Sequence, residues 1–393
     1  MGAPADMAPW VIVAGGFHPH GGMDRANLAL AAYLAATGRR VHLVGHDFDG
    51  SICRHRFVST HPVARPRWFP GLAERSLAAA GSRVAARVCA DASGARVVVN
   101  GGNCEWPDIN WVHAVHAVWP VYDRGAPAWA RVRNRLLKRA ARRRERRALR
   151  RARLVIANSH ASAHALVDHV GISPGRVHTV YLGSDATWGA VDGEERRIAR
   201  RELGLLPDAP VAGFVGALGT DSNKGFDLLF EAWRLLARRG AWDVTLLVAG
   251  SGWGLARWRA RARRELTAAS IRFLGFTPGV RQLLAAADLL VSPVRYEAYG
   301  LNVHEAVCRG VPVMVTSTAG VTERFEPDMA DALLPSGLTP EILAQRLRAW
   351  RADPDGWRER TARTGARLRT RTWDDMAAEF VGIAEGIPRR RTA

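Results

Sequence analysis

A chain of 393 residues, 48% apolar and 24% charged, is long enough for two α/β domains and can bury a core in each. Four scattered cysteines (Cys53, Cys89, Cys104, Cys308) with no CxxC exclude a zinc knuckle or a disulfide framework and point to a reducing compartment. The formal net charge is +19, yet thirteen Lys/Arg against one acid, Glu145, fall within residues 131–153, so +12 of it sits in one segment.

In chain order, residues 1–10 lack the basic-then-apolar pattern of a leader. The longest apolar stretch, near residues 28–36, is roughly half the length that a membrane-spanning helix needs. A strand is predicted over 10–14, a turn at Gly15, Gly16, Gly21 and Gly22, a helix over 23–37 and a strand over 40–44. Helices follow over 72–89 and 128–152, with strands over 97–100, 110–116, 154–158 and 177–182. After Gly183-Ser184-Asp185 and a polar stretch, the rhythm restarts. Strands over 211–215, 244–249, 271–274, 289–291 and 311–315 alternate with helices over 225–238, 255–266, 280–287 and 301–309. Residues 373–387 predict a closing helix with Trp373, Met376, Phe380 and Ile383 or Ala384 on one stripe. Such alternation means parallel sheets covered on both faces. The fold class is therefore α/β with two doubly wound units, residues 1–185 plus the helix at 373–393, and residues 186–372.

Three places carry chemistry. The Gly-rich turn after the first strand permits close backbone approach to a ligand, though its spacing is not GxGxxG and a simple turn explains it equally well. Gly216-Ala217-Leu218-Gly219 leads into Asn223-Lys224-Gly225, where a lysine before a helix can reach a diphosphate or merely face solvent. The run from Pro293 to Ala306 puts Glu297 in a loop and Glu305 inside the next helix. Gly300 opens that helix, so its first amides are unpaired donors for an anion. Spacing alone fits two surface glutamates as well.

The stretch 273–323 resembles the donor-site signature of glycosyltransferase family 4. It carries Phe273-Leu274-Gly275-Phe276, Ala287-Asp288, Pro293, the Glu297/Glu305 pair, Gly310-Val311-Pro312-Val313 and Gly320-Val321-Thr322-Glu323 in the family's order. Lys224-Gly225, the 183–185 junction, the opening at 15–27 and the closing helix fit as well. The resemblance implies the GT-B fold: two Rossmann-like domains facing each other across a cleft, with a C-terminal helix crossing back to the first. It also implies a retaining, metal-independent glycosyltransferase with no cofactor. Such an enzyme moves a sugar from a nucleotide-diphosphate donor to a hydroxyl of a lipid, glycan or natural product. On the same resemblance, Lys224 and the amides of Gly300 and Leu301 bind diphosphate, Glu305 holds the ribose and Glu297 meets the transferred sugar. Gly216, Gly275, Phe276, Tyr299 and Asn302 complete the donor site. Gly16 and Gly22 border the reaction centre, and His116, with His113 nearly as good a match, faces the donor sugar. Ala217 departs from the family, which carries arginine there.

Rival readings are a nucleotide-sugar epimerase or phosphorylase on the same architecture, and a polyanion binder with a decayed transferase site. His160 and His164 read as a surface helix, and Asp288 stands alone at a strand start with no DxD pair near it. The basic segment 131–153 reads as a solvated helix face, or as a peripheral contact with anionic membrane helped by the arginines of residues 388–391. No motif supports nucleic acid as a partner. The expected location is cytoplasmic.

Overall fold

The computed structural model describes residues 8–386 except 66–69, 122, 124–125, 186, 220, 239, 241, 267–269 and 278–279; the arginines of 388–391 lie outside the described residues. The chain divides into two units. One holds residues up to Trp119, Leu136–Gly183 and the chain from Thr372 on; the other holds Pro120–Arg135 and Ser184–Arg371.

The first unit is built on seven parallel strands. They are β1 (Trp10–Val13), β2 (Val41–Gly45), β3 (Val58–Pro62), β4 (Arg96–Asn100), β5 (Ile109–Val112), β6 (Leu154–Ala157) and β7 (Val177–Thr179), in the order β3-β2-β1-β4-β5-β6-β7. The second has six: β8 (Val211–Val215), β9 (Thr245–Ala249), β10 (Ile271–Gly275), β11 (Leu289–Ser292), β12 (Val313–Thr316) and β13 (Leu333–Leu334), in the order β10-β9-β8-β11-β12-β13. Central strands such as Val11-Ile12-Val13 and Leu289-Leu290 are wholly buried, which is why they read as unbroken apolar runs rather than alternating ones. In each sheet the winding reverses beside the first strand, between β1 and β4 and between β8 and β11. Ligands of open α/β sheets bind at the carboxyl ends of strands at such a reversal.

Six helices matter below: α1 (Gly22–Ala36), α2 (Pro70–Asp91), α3 (Ala128–Arg151), α4 (Phe226–Ala237), α5 (Leu301–Cys308) and α6 (Trp373–Gly386). The stripe on α6 resolves in favour of Ala384, which is buried with Met376 and Phe380. Phe380 meets Trp111 of β5 with ring centroids 4.8 Å apart, and Arg39 grips Glu385 through two hydrogen bonds of 3.1 Å. The final helix thus packs on the first unit.

Several expectations need correction. The strand expected over 110–116 stops at Val112, because the next amides find other partners: the Glu145 carboxylate accepts from His116 N–H at 2.9 Å. His116 therefore sits on a loop, not at a strand end. The half-buried edge strand β3 escaped notice because Ser59, Thr60, His61 and Pro62 carry no apolar alternation. The polar stretch after residue 185 folds into a helix, Gly193–Glu202, whose N-cap Asp192 accepts from Glu195 N at 2.8 Å. Asp288, read as an acid without a partner acid, is bound up with arginines. Its buried carboxylate accepts from Arg200 at 2.8 Å, Arg358 at 2.7 Å, Arg196 and the Val211 amide at 2.9 Å, which makes it a structural hub at the start of β11. All four cysteines are free thiols. Among the described residues no helix is long and apolar enough to cross a membrane.

Candidate active site

The carboxyl ends of β8, β9 and β10 are lined with glycine because the backbones nearly touch. Gly216 N donates to Ala249 O at 3.0 Å, and Gly250 N donates to Gly275 O at 2.7 Å. A Cβ on Gly250, whose φ is +157°, would lie 1.9 Å from Gly216 O. Any side chain there would collide with the backbone of the neighbouring strand end. Phe276 follows Gly275 and is largely exposed.

Beyond Gly216 the chain makes a short turn, Ser222–Lys224, capped by Asp221, and enters α4 through Gly225 at φ +72°. A Cβ on Gly225 would strike Pro293 O at 1.9 Å, so this loop lies directly against the one after β11. The two are stitched together. Arg295 N donates to Asn223 O at 2.8 Å, Asn223 Nδ2 donates to Tyr296 O at 2.9 Å, and the Arg295 guanidinium makes a two-pronged bond to Asp227 at 2.7 and 2.6 Å. This clamp brings Lys224 Nζ to Glu297 Oε2, 2.5 Å apart, with both side chains still open to solvent in part.

Gly300, at φ +103°, starts α5. Its carbonyl accepts from Val303 N and His304 N, and the amides of Leu301 and Asn302 have no carbonyl a turn behind them. A Cβ on Gly300 would sit 3.4 Å from Glu297 Cγ, so Glu297 and the helix start adjoin. Asn302 Nδ2 reaches back to Val215 O at 3.4 Å, tying α5 to the end of β8. Glu305 lies one turn into the helix and is partly exposed.

Lys224, Glu297, Gly300, Leu301, Asn302 and Gly216 therefore come together at the reversal of the second sheet. Tyr299 does not present its side chain there. It is 2% exposed, its hydroxyl lies 2.9 Å from His304 Nδ1, and His304 Nε2 lies 2.8 Å from Ser184 Oγ. Burial pushes the Tyr299 hydroxyl up to about 12. The side chain is part of the packing beneath α5, and the Tyr299 carbonyl accepts from Val321 N at 2.8 Å.

In the first unit, Gly16 lies under His18 and Asp24; a Cβ there would be 2.9 Å from His18 Nε2 and 3.1 Å from Asp24 Oδ1. Gly22 begins α1 after Gly21 at φ +91°. Burial raises the Asp24 carboxyl against the pull of His18 and Arg65. The two candidate histidines separate clearly. His113 has its Nε2 buried without a partner, and burial lowers it to about 3, so it is a neutral packing residue against Trp111. His116 is held from α3. The Glu145 carboxylate, 1% exposed, takes its backbone N–H at one oxygen and its Nδ1–H at the other, both at 2.9 Å. A carboxylate only accepts, so Nδ1 carries a proton, and in the neutral ring this leaves Nε2 as the acceptor. Arg142 Nε donates to His116 O at 2.7 Å, Trp119 stacks on the ring, and Lys138 lies 4.9 Å over Trp119. Lys138, Arg142 and Glu145 share one face of α3. The only sign of this in the sequence was a single acid within a basic run.

Two family models match the chain: Glycosyltransferase Family 4 over residues 20–188 and Glycosyl transferases group 1 over residues 209–353. A D-inositol 3-phosphate glycosyltransferase of Jonesia denitrificans is 30% identical over 243 residues, which is 59% of this chain and 56% of the relative. The chain spans about half the length of the curated relatives it matches. Among solved structures, WaaG, a glycosyltransferase involved in lipopolysaccharide biosynthesis, superposes with a TM-score of 0.75 at 20% identity, over 96% of this chain and 100% of WaaG. HepE from Anabaena in complex with UDP-glucose superposes with a TM-score of 0.69 at 18% identity, over 96% of this chain and all of that one. With a family model on each unit and the GT-B fold shared along most of its length, the chain belongs to glycosyltransferase family 4, within the group 1 glycosyl transferases.

Proposed function

We propose that this chain transfers a sugar from a nucleotide-diphosphate donor to a hydroxyl acceptor, with retention at the anomeric carbon and without a metal. One observation carries the reading: the Lys224–Glu297 pair beside the Gly300-capped start of α5. An ammonium and unpaired helix amides are what a departing diphosphate needs. HepE, a neighbour in fold, binds UDP-glucose, which supports a nucleotide sugar as donor. In the structure Lys224 and Glu297 neutralise each other. A diphosphate would draw Lys224 to itself and leave the Glu297 carboxylate to accept from hydroxyls of the transferred sugar. Glu305 is assigned to the ribose.

No side chain is assigned as a nucleophile. The acceptor hydroxyl attacks the anomeric carbon on the face from which the phosphate leaves. The bond to phosphate breaks as the new glycosidic bond forms, and the leaving phosphate oxygen takes the acceptor's proton. Incubation with a panel of nucleotide sugars and acceptors, with NMR of the product, tests this. A new bond of unchanged anomeric configuration is expected; inversion, or epimerised donor with no transfer, would overturn it.

Glu297→Gln should lower turnover far more than it weakens nucleotide-diphosphate binding. Glu305→Ala should weaken nucleotide binding by about 1–3 kcal/mol as a charged hydrogen bond is lost. Calorimetric titration beside steady-state kinetics separates the two, and equal effects on nucleotide affinity would reject the division of roles. Activity is also expected to survive EDTA, since Lys224 and α5 supply positive charge at the diphosphate. Abolition by chelator, with recovery on adding magnesium or manganese, would sink the metal-free mechanism.

A further inference from the structure

The first three turns of α3 carry an apolar stripe that is left more than half exposed among the described residues. Trp129, Val132, Leu136 and Leu137 are each 54–58% exposed, and Trp253, 79% exposed, meets Trp129 edge-on with centroids 6.5 Å apart. Positions i, i+3, i+7 and i+8 fall on one side of a helix. The buried side is elsewhere, formed by Ala130, Glu145, Ala148 and Leu149. The inner face is taken up in holding the His116 loop, so Val132, Leu136 and Leu137 face outward.

Around this stripe stand Arg131, Arg133, Arg135 and Arg139, all exposed, and Arg133 lies 5.1 Å over the Trp129 ring. We propose that this stripe docks on an anionic lipid bilayer, with α3 lying in the plane of the interface. Charge complementarity selects the surface, and the apolar side chains select lipid among anionic surfaces. A nucleic acid or an acidic glycan would satisfy the arginines yet leave two exposed tryptophans and two leucines in water. At a bilayer the apolar side chains enter the acyl boundary while tryptophan rings and guanidinium groups stay at headgroup level. The stripe from residue 129 to 137 runs about 12 Å along the axis, one patch rather than a whole helix. The docking does not depend on the sugar-transfer reading.

Flotation of the full chain with vesicles tests the proposal. Phosphatidylcholine vesicles should capture little, and vesicles with about one-third phosphatidylglycerol should capture the chain strongly, less so at high salt. Trp129→Ser/Leu136→Ser/Leu137→Ser keeps every charge and alters only side chains that are more than half exposed. It should bind the anionic vesicles at least about tenfold more weakly while binding heparin within about twofold of wild type. Arg131→Gln/Arg135→Gln/Arg139→Gln should weaken both, and circular dichroism checks that each variant is folded. No capture by anionic vesicles, or equal capture of wild type and the serine variant, would overturn the proposal.

Discussion

Lys224→Ala should lower kcat/KM by about 2–4 kcal/mol, with kcat falling as well as donor affinity. Two features of the site set this expectation. Ala217 stands exposed where the family carries an arginine, so Lys224 is the one side-chain cation assigned to the diphosphate. Charge also grows on that phosphate as the bond to the sugar breaks, so the ammonium is worth more in the transition state than before it. Lys224 is well placed to act without rearrangement. Its backbone is fixed by the Asp221 cap, by Gly225 against Pro293 and by the Asn223–Tyr296 bond, and a Cβ on Gly216 would press within 3.1 Å of its side chain. Lys224→Arg should recover only part of the loss, because a planar guanidinium does not put its charge where the ammonium was. Steady-state kinetics at saturating acceptor measures the effect. If Lys224→Ala stays within twofold of wild type, another cation carries the leaving group, or the donor lies elsewhere.

The same substitution has a second consequence. Without Lys224, the Glu297 carboxylate loses its ion-pair partner and adds negative charge beside the start of α5. Part of the loss in donor affinity would then be repulsion rather than a missing attraction. Lys224→Ala/Glu297→Gln separates the two: recovery of nucleotide affinity but not of kcat would show that the lysine's catalytic share is its own.

The parts of this molecule legible from sequence are those in which one local feature decides the outcome. Fully buried parallel strands announce themselves as apolar runs, as at Val97-Val98-Val99 and Leu289-Leu290, and the glycines before α4 and α5 mark the turns that open them. Lys224 and Glu297 were legible only through the family resemblance, since neither spacing alone nor composition says that a loop after β8 meets a loop after β11. That meeting is made by Asn223, Arg295 and Asp227, polar residues whose pairing spans some seventy positions of chain. Tyr299 misled because a tyrosine beside a helix-opening glycine fits a ligand as well as a core. His304 and Ser184 decided the matter, and Ser184 lies 120 residues away. The helix at 193–202 was hidden by its own charge: its stability comes from the Asp192 cap and from Arg200 turned inward onto Asp288, not from an apolar stripe.

Glu145→Gln should cost about 100-fold in kcat/KM, close to 2.7 kcal/mol, through His116 rather than through the fold as a whole. The carboxylate accepts two bonds at once, one from the His116 amide and one from its ring, and no other acid lies within residues 131–153. An amide in its place has one accepting oxygen. Its NH2 group would face either the backbone N–H or the Nδ1–H, and the simplest relief is for the imidazole to change tautomer or turn. Either change alters the ring that the family resemblance turns toward the donor sugar. Some stability is lost too, about 1–3 kcal/mol, because a buried donor goes unsatisfied. A merely structural residue would show that loss alone, so the test is a double-mutant cycle. In the His116→Ala background, Glu145→Gln should still lower the melting temperature yet cost less than about threefold further in kcat/KM. If Glu145→Gln costs as much without His116 as with it, Glu145 acts on α3 and the fold, and the assignment of His116 to the donor sugar loses its structural support.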